Sequence, residues 1–304
     1  MLLAKRLLAK RPLAKLHLAK LPRLGAHMSI AGGYHRAVEE AQRCGCDCVQ
    51  LFTKNNNQWR AKEITPEEAA LFSKALADLK IAHPLAHSSY LINLASADEV
   101  LWEKSAEGMV VELRRAEQLG IPYVVVHPGS HMTQTEEEGL SKVALALDMI
   151  HKLLPRAKAQ VLLEITAGQG TNLGWKFSHL ADIIGRVAKP ERVGVCFDTC
   201  HAFAAGHDLR DRRAYLAMWR EFDELLGIDR LKAIHLNDSK RELGSRIDRH
   251  EHIGRGCIGL AGFHNVLTDK RLREVPMYLE TPKENAGDEP WDVVNLRTLR
   301  KLLA

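Results

Sequence analysis

Val193-Gly194-Val195-Cys196-Phe197-Asp198-Thr199-Cys200-His201 runs apolar for five residues and then turns abruptly to metal-ligand chemistry. A strand buried on both faces of a parallel sheet reads as a near-continuous apolar run. A carboxylate at its carboxyl end, followed three residues later by an imidazole, needs a reason, because an unpaired buried charge is costly. Metal coordination supplies one.

Seven further short apolar segments share this form: Leu24 to His27, Cys46 to Phe52, Pro84 to His87, Tyr123 to His127, Val161 to Glu164, Leu231 to His235 and Met277 to Glu280. Amphipathic helical patterns lie between them, among them Ala31 to Arg43, Pro66 to Leu79, Asp98 to Leu119, Glu136 to Leu154, Phe177 to Val187 and Arg213 to Leu226. Eight strand-helix units in 304 residues predict an α/β chain folded as a (β/α)8 TIM barrel, a single catalytic domain over residues 24–304. A doubly wound sheet is the alternative. It would carry a glycine-rich phosphate turn after the first strand, and Ala31-Gly32-Gly33 imitates one only weakly.

Six of the eight segments end in His87, His127, Glu164, Asp198, His235 and Glu280, and the first ends in His27. In a barrel these carboxyl ends converge on one face, where active sites of this architecture lie. His201 and the pair Asp248 and His250 add ligands from loops on the same face; side chains at i and i+2 share a face when the backbone is extended. Nine His, Asp and Glu residues exceed the four positions of one tetrahedral zinc and point to two or three ions with bridging carboxylates. Several metals held close together suit phosphoryl displacement, so phosphoester hydrolysis is the expected reaction class. The loops Thr53 to Arg60 and Ser88 to Asn93 offer amides with Trp59 and Tyr90 that can wedge into a DNA groove, with core packing of Trp59 as the competing reading.

Composition bounds the rest. No apolar run approaches the roughly 20 residues that span a bilayer, and no signal peptide is visible, so a cytoplasmic protein with no membrane partner is expected. The net charge of +5 misleads, because residues 1–23 hold seven Lys or Arg and no acid, leaving 36 basic against 38 acidic residues beyond them. That segment repeats Leu-Ala-Lys every five residues, a period that scatters lysines around a helix, and it reads as a basic, disordered extension outside the fold. A phosphate-binding arm and an organelle presequence are the sharper readings. Six cysteines, three of them in Cys44-Gly45-Cys46-Asp47-Cys48, read as buried thiols; the two-residue spacer of a zinc knuckle is missing.

The motifs His87-Ser88-Ser89-Tyr90-Leu91-Ile92-Asn93-Leu94, His127-Pro128-Gly129-Ser130-His131, Thr166-Ala167-Gly168-Gln169-Gly170, Asp198 to Gly206, His235-Leu236-Asn237-Asp238-Ser239-Lys240 and Gly244 to His250 together carry a resemblance. From about residue 24 to the end, the chain resembles the endonuclease IV family, abasic-site endonucleases of the xylose isomerase-like barrel superfamily. The resemblance implies a trinuclear zinc site, with manganese able to share it. His87, His127 and Glu164 would hold the first ion, Glu164 would bridge to a second completed by Asp198, His235 and Glu280, and His201, Asp248 and His250 would hold the third. It further implies hydrolysis of the phosphodiester 5′ to an abasic site, leaving a 3′-hydroxyl and a 5′-deoxyribose phosphate, with trimming of blocked 3′ ends. Glu164 would act catalytically, aiming a hydroxide for in-line attack while the third ion meets the leaving oxygen. The implied partner is double-stranded DNA, bound by a monomer at the nucleoid, with contacts from Asn57, Gln58, Tyr90 and Arg249.

Three positions depart from the family pattern. Asn57 stands where an arginine enters the DNA, Ile165 where Asn often follows the bridging Glu, and Arg255 where Glu is common between two glycines. A sugar isomerase or epimerase of the same superfamily is the runner-up reading, and a catalytically idle lesion-binding barrel is a third. The trio His201, Asp248 and His250, which an isomerase does not need, favours the nuclease.

Overall fold

A computed structural model of the chain describes residues 21–303. The Leu-Ala-Lys repeat and the readings attached to it fall on residues 1–20 and lie outside the described residues. Among the described residues, eight parallel strands close on themselves: β1 (Leu24–Met28), β2 (Cys48–Phe52), β3 (Ala82–His87), β4 (Tyr123–Val126), β5 (Gln160–Glu164), β6 (Val193–Asp198), β7 (Leu231–His235) and β8 (Met277–Leu279). Strand β1 pairs with β2 on one side and β8 on the other, so the sheet has no edge and the doubly wound alternative falls.

Helices follow the strands: α1 (Tyr34–Arg43), α2 (Pro66–Asp78), α3 (Glu99–Gln118), α4 (Glu136–Leu153), α5 (Phe177–Arg186), then the short α6 (Thr199–Ala205) directly at the end of β6 and α7 (Arg212–Leu226) after it, α8 (Gly259–Thr268) and α9 (Trp291–Lys301). Local sequence sets their starts. Thr65 with Glu68 and Thr135 with Glu138 form reciprocal capping boxes at the heads of α2 and α4. The strand limits read from sequence shift by one or two residues; Cys46, for instance, precedes β2 because its N–H closes α1 on the Ala41 carbonyl. Nothing in the sequence pattern marks the short α6: its seven residues hold too few turns to show a period.

The barrel interior explains how the site is positioned. Cys48, Leu85, Val125, Leu162, Cys196, Ala233 and Tyr278 pack together as an apolar layer inside the strands. Side chains two residues further along a strand point the same way. Those residues are Gln50, His87, His127, Glu164, Asp198, His235 and Glu280. The polar layer is thus one pleat above a closed apolar floor, at the carboxyl-terminal mouth. The six cysteines form no disulfide; five are buried, as expected, and Cys257 is half-buried. No helix among the described residues is long and apolar enough to cross a membrane.

Candidate metal centre

The structure brings all nine expected ligand positions together in three groups: His87, His127 and Glu164; Glu164, Asp198, His235 and Glu280; and His201, Asp248 and His250. Glu164 joins the first two. Its Oε2 lies 3.3 Å from His87 Nε2 and 3.0 Å from His127 Nε2, while Oε1 lies 2.8 Å from His235 Nδ1. His235 Nδ1 also faces Glu280 Oε2 at 3.2 Å. In the third group Asp248 Oδ2 lies 3.1 Å from His201 Nε2 and Oδ1 lies 3.4 Å from His250 Nε2. Glu164, Asp198, His235, His201 and His87 are buried, and the other four are half-buried at the rim.

The second nitrogen of four imidazoles is already committed. His87 Nδ1 donates to the Ser88 carbonyl (2.9 Å), His201 Nδ1 to the Ile165 carbonyl (2.9 Å) and His250 Nδ1 to the Glu280 carbonyl (3.1 Å). A carbonyl can only accept, so Nδ1 carries the proton and Nε2 turns its lone pair to the centre. For His235 the roles reverse, because Nε2 lies 2.7 Å from Gln50 Oε1. The Gln50 amide is oriented by its own nitrogen, which donates to Glu280 Oε1 and His27 Nδ1. His250 Nε2 is buried with no hydrogen-bond partner, an orphan that a metal would satisfy.

Electrostatics point the same way. Burial pushes the Glu164 carboxyl up, but His235 and His127 overcome it and hold it well below the ordinary carboxylate range. Glu280, opposed by burial and drawn down chiefly by His235, falls to about 2. Burial lowers His201 and His235, yet Asp198 and Asp248 lift the first, and Glu280 and Glu164 the second, well above the usual histidine value. Four carboxylates around buried imidazoles therefore favour positive charge at the centre. With the lone pairs turned inward and nitrogen and carboxylate oxygen as donors, the residues fit zinc.

Asp198 links strand and helix. Its Oδ1 accepts the His201 N–H at 2.7 Å, capping α6, while Oδ2 accepts from Asn237 Nδ2 at 2.6 Å and faces His235 and His250 at 3.9 and 3.8 Å. Asn237 in turn accepts the Glu280 N–H at 2.8 Å. Sequence reasoning misses Gln50 and Asn237. A signal exists for Gln50, the polar member of an apolar strand, but nothing in the spacing ties it to His235. His27, the end of the first segment, stands beside Gln50 outside the three groups, and burial lowers its pKa to about 3. Cys196 and Cys200 also lie within reach of the ligand groups, but burial pushes both thiols up to about 12, which disfavours the thiolate.

Asn57, Gln58, Tyr90 and Arg249 are exposed on loops at this mouth. Tyr90 stands edge-on to Phe52 and His87 at 5.5 and 6.0 Å between ring centres. The Asn57 loop is tied from beneath: Lys54 Nζ donates to the Gln58 carbonyl (2.6 Å) and pairs with buried Glu112 of α3 (3.4 Å), and Ser89 donates to the Asn56 carbonyl. Trp59 packs over Gly108 of α3 with Lys104 above its ring, which supports packing over wedging for this residue. Arg255, one of the three departures, lies over the Trp291 ring at 4.5 Å.

Residues 38–302 match the family model described as xylose isomerase-like TIM barrel. The chain is 48% identical over 280 residues to a protein of Citrifermentans bemidjiense named "probable endonuclease 4", covering 92% of this chain and 98% of the relative. The crystal structure of endonuclease IV from Thermus thermophilus superposes with a TM-score of 0.81 at 37% identity, over 93% of this chain and 99% of that one. A D-tagatose 3-epimerase-like protein shares the fold, at a TM-score of 0.69 and 17% identity over 92% and 97% of the two chains. The chain belongs to the xylose isomerase-like TIM barrel family. Within it, this is an enzyme of the endonuclease IV group, a hydrolase.

Proposed function

We propose that residues 24–304 form a three-zinc endonuclease of DNA repair, acting as a monomer on double-stranded DNA. It hydrolyses the phosphodiester 5′ to an abasic site, leaving a 3′-hydroxyl and a 5′-deoxyribose phosphate, and it trims blocked 3′ ends. The observation that carries this reading is the third group. His201, Asp248 and His250 supplement the six strand-end ligands, and a sugar isomerase on the same barrel has no use for them.

Bound zinc supplies Lewis acidity for the phosphoryl oxygens and lowers the pKa of water to near neutrality. The chain's own residues supply the geometry. Glu164, buried and ionised, faces His87 and His127 with one oxygen and His235 with the other, as a bridging carboxylate must. In the same position it is the residue that orients the attacking oxygen. Asp248 and His250 sit at the open rim, where a leaving 3′ oxygen is met, with Arg249 between them exposed for a phosphate. Tyr90, Asn57 and Gln58 stand across the mouth to hold the DNA at the lesion.

Metal analysis of purified protein, paired with cleavage of a duplex bearing one abasic-site analogue, tests the proposal. Three zinc ions per chain and a nick on the 5′ side are expected. Glu164→Gln should lower the cleavage rate by at least about 10³-fold, a loss of roughly 4 kcal/mol of transition-state stabilisation, while the barrel stays folded. Fewer than three ions per chain, or a nick made by protein shown to be free of metal, would sink the reading.

A further inference from the structure

Eight of the nine ligand positions sit on a strand or helix, or one residue beyond a strand's end; Asp248 does not. It is half-buried in the loop between the two strands of a small ribbon, Asp238–Ser239 and His250–Glu251. Something other than regular structure must aim its carboxylate.

The loop is stitched on two sides. Toward α6, Gly244 N–H donates to the Phe203 carbonyl at 3.1 Å and Arg246 N–H to the Ala204 carbonyl at 2.9 Å. Toward the loop after β5, Asp248 N–H donates to Gln169 Oε1 at 3.0 Å, and the Arg246 guanidinium lies 3.4 Å from the centre of the Trp175 ring. Arg246 holds a φ of 53°, a left-handed conformation that a residue with a Cβ adopts only when its surroundings impose it. Trp175 rests in turn on Gly168, at φ +73°, where an added Cβ would stand 2.8 Å from the indole. The same loop begins at Ile165, whose carbonyl fixes His201. One loop thus reaches both His201 and Asp248.

We infer that Trp175, Arg246 and Gln169 form a clamp that aims Asp248 and so sets the affinity of the His201, Asp248 and His250 group for its ion. The inference rests on the three-zinc reading above. Without the stack, Arg246 is free to leave the left-handed region, and a backbone rotation two residues from Asp248 swings the carboxylate away from His201 Nε2. Partners of this kind, which orient ligands without touching the metal, typically govern affinity by about 10- to 100-fold. These three are positioning residues; Arg249 and the ligands remain the groups at the substrate.

The test is a chelator titration of zinc-loaded protein read as zinc per chain, alongside thermal unfolding of the metal-stripped protein. Trp175→Leu and Gln169→Ala should release one ion of three at about 10- to 100-fold lower chelator than wild type, with the other two retained and the stripped protein's Tm little changed. Trp175→Phe, which keeps a ring under Arg246, should restore the wild-type profile. Wild type with three ions and variants that hold all three equally well would overturn the clamp alone. Variants that lose all three ions together with their fold would overturn it also, showing a general structural role. A wild type with fewer than three ions would remove the underlying reading and the clamp with it.

Discussion

Asp198 does the work of two residues, because its two oxygens serve different elements. Oδ1 caps α6 on the His201 N–H and Oδ2 faces the imidazoles. Asp198 and His201 are conspicuous in the sequence because both ligand chemistry and strand termination mark the same position. In the sequence, their division between two groups comes from the barrel reading and the family resemblance together, since three residues is an ordinary spacing for ligands of one ion; the structure sets them in separate groups. Gln50 marks the opposite limit: its contact with His235 joins positions 185 apart, and only barrel closure creates it. Asn57 carries a prediction at this scale. It is exposed beside Gln58 on a loop held from below by Lys54, so a longer cationic side chain can be added without disturbing packing. Asn57→Arg should tighten binding to an abasic duplex several-fold and steepen the slope of log K against log salt by about 0.9, one further phosphate contact. Fluorescence anisotropy at several salt concentrations would measure it, and an unchanged slope would show that the loop does not reach the backbone.

Among elements, the strands are legible in the sequence and the mouth is not. A strand buried on both faces leaves a run of apolar residues, so all eight appear in the sequence within one or two residues of their observed limits. The ribbon that delivers His250 has two residues per strand, too few for any period. What builds it is Asp238, whose carboxylate accepts N–H groups from Gly254, Gly256 and Ile258 and so folds the following loop around itself. Gly256 has to be glycine there. A Cβ would lie 2.4 Å from the Ser239 carbonyl oxygen and 2.6 Å from Asp238 Oδ1. Gly256→Ala should therefore cost about 2–3 kcal/mol, lower Tm by several degrees, and weaken the third metal site next to the ribbon. Calorimetry with zinc analysis would check it; wild-type values in both would mean the loop relaxes without moving His250.

At the scale of the whole molecule, the buried and half-buried histidines among the described residues include a set at the barrel mouth and a set between the helices. The second includes His151 of α4, His179 of α5 and His207, each with its pKa lowered chiefly by burial. His151 is the extreme case: 4% exposed, its Nδ1 without a hydrogen-bond partner and its backbone carbonyl beneath Arg192, it is lowered to about 4. Its ordinary value of about 6.5 applies once the chain unfolds. Above pH 7 neither state holds the proton and His151 contributes no pH dependence. Between 6.5 and 4 the unfolded chain takes up a proton that the folded chain refuses, so stability falls as pH falls, and below about 4 the loss levels off at an order of 3 kcal/mol. His179 and His207 add losses of the same sign. Urea unfolding of metal-stripped protein at pH 7 and pH 4.5 should show the decline. His151→Leu, which fills the site without a titratable group, should decline less, so that the variant gains on wild type as the pH drops. Parallel declines for the two proteins would mean that His151 is solvated or paired in solution and that acid sensitivity arises at the mouth of the barrel instead.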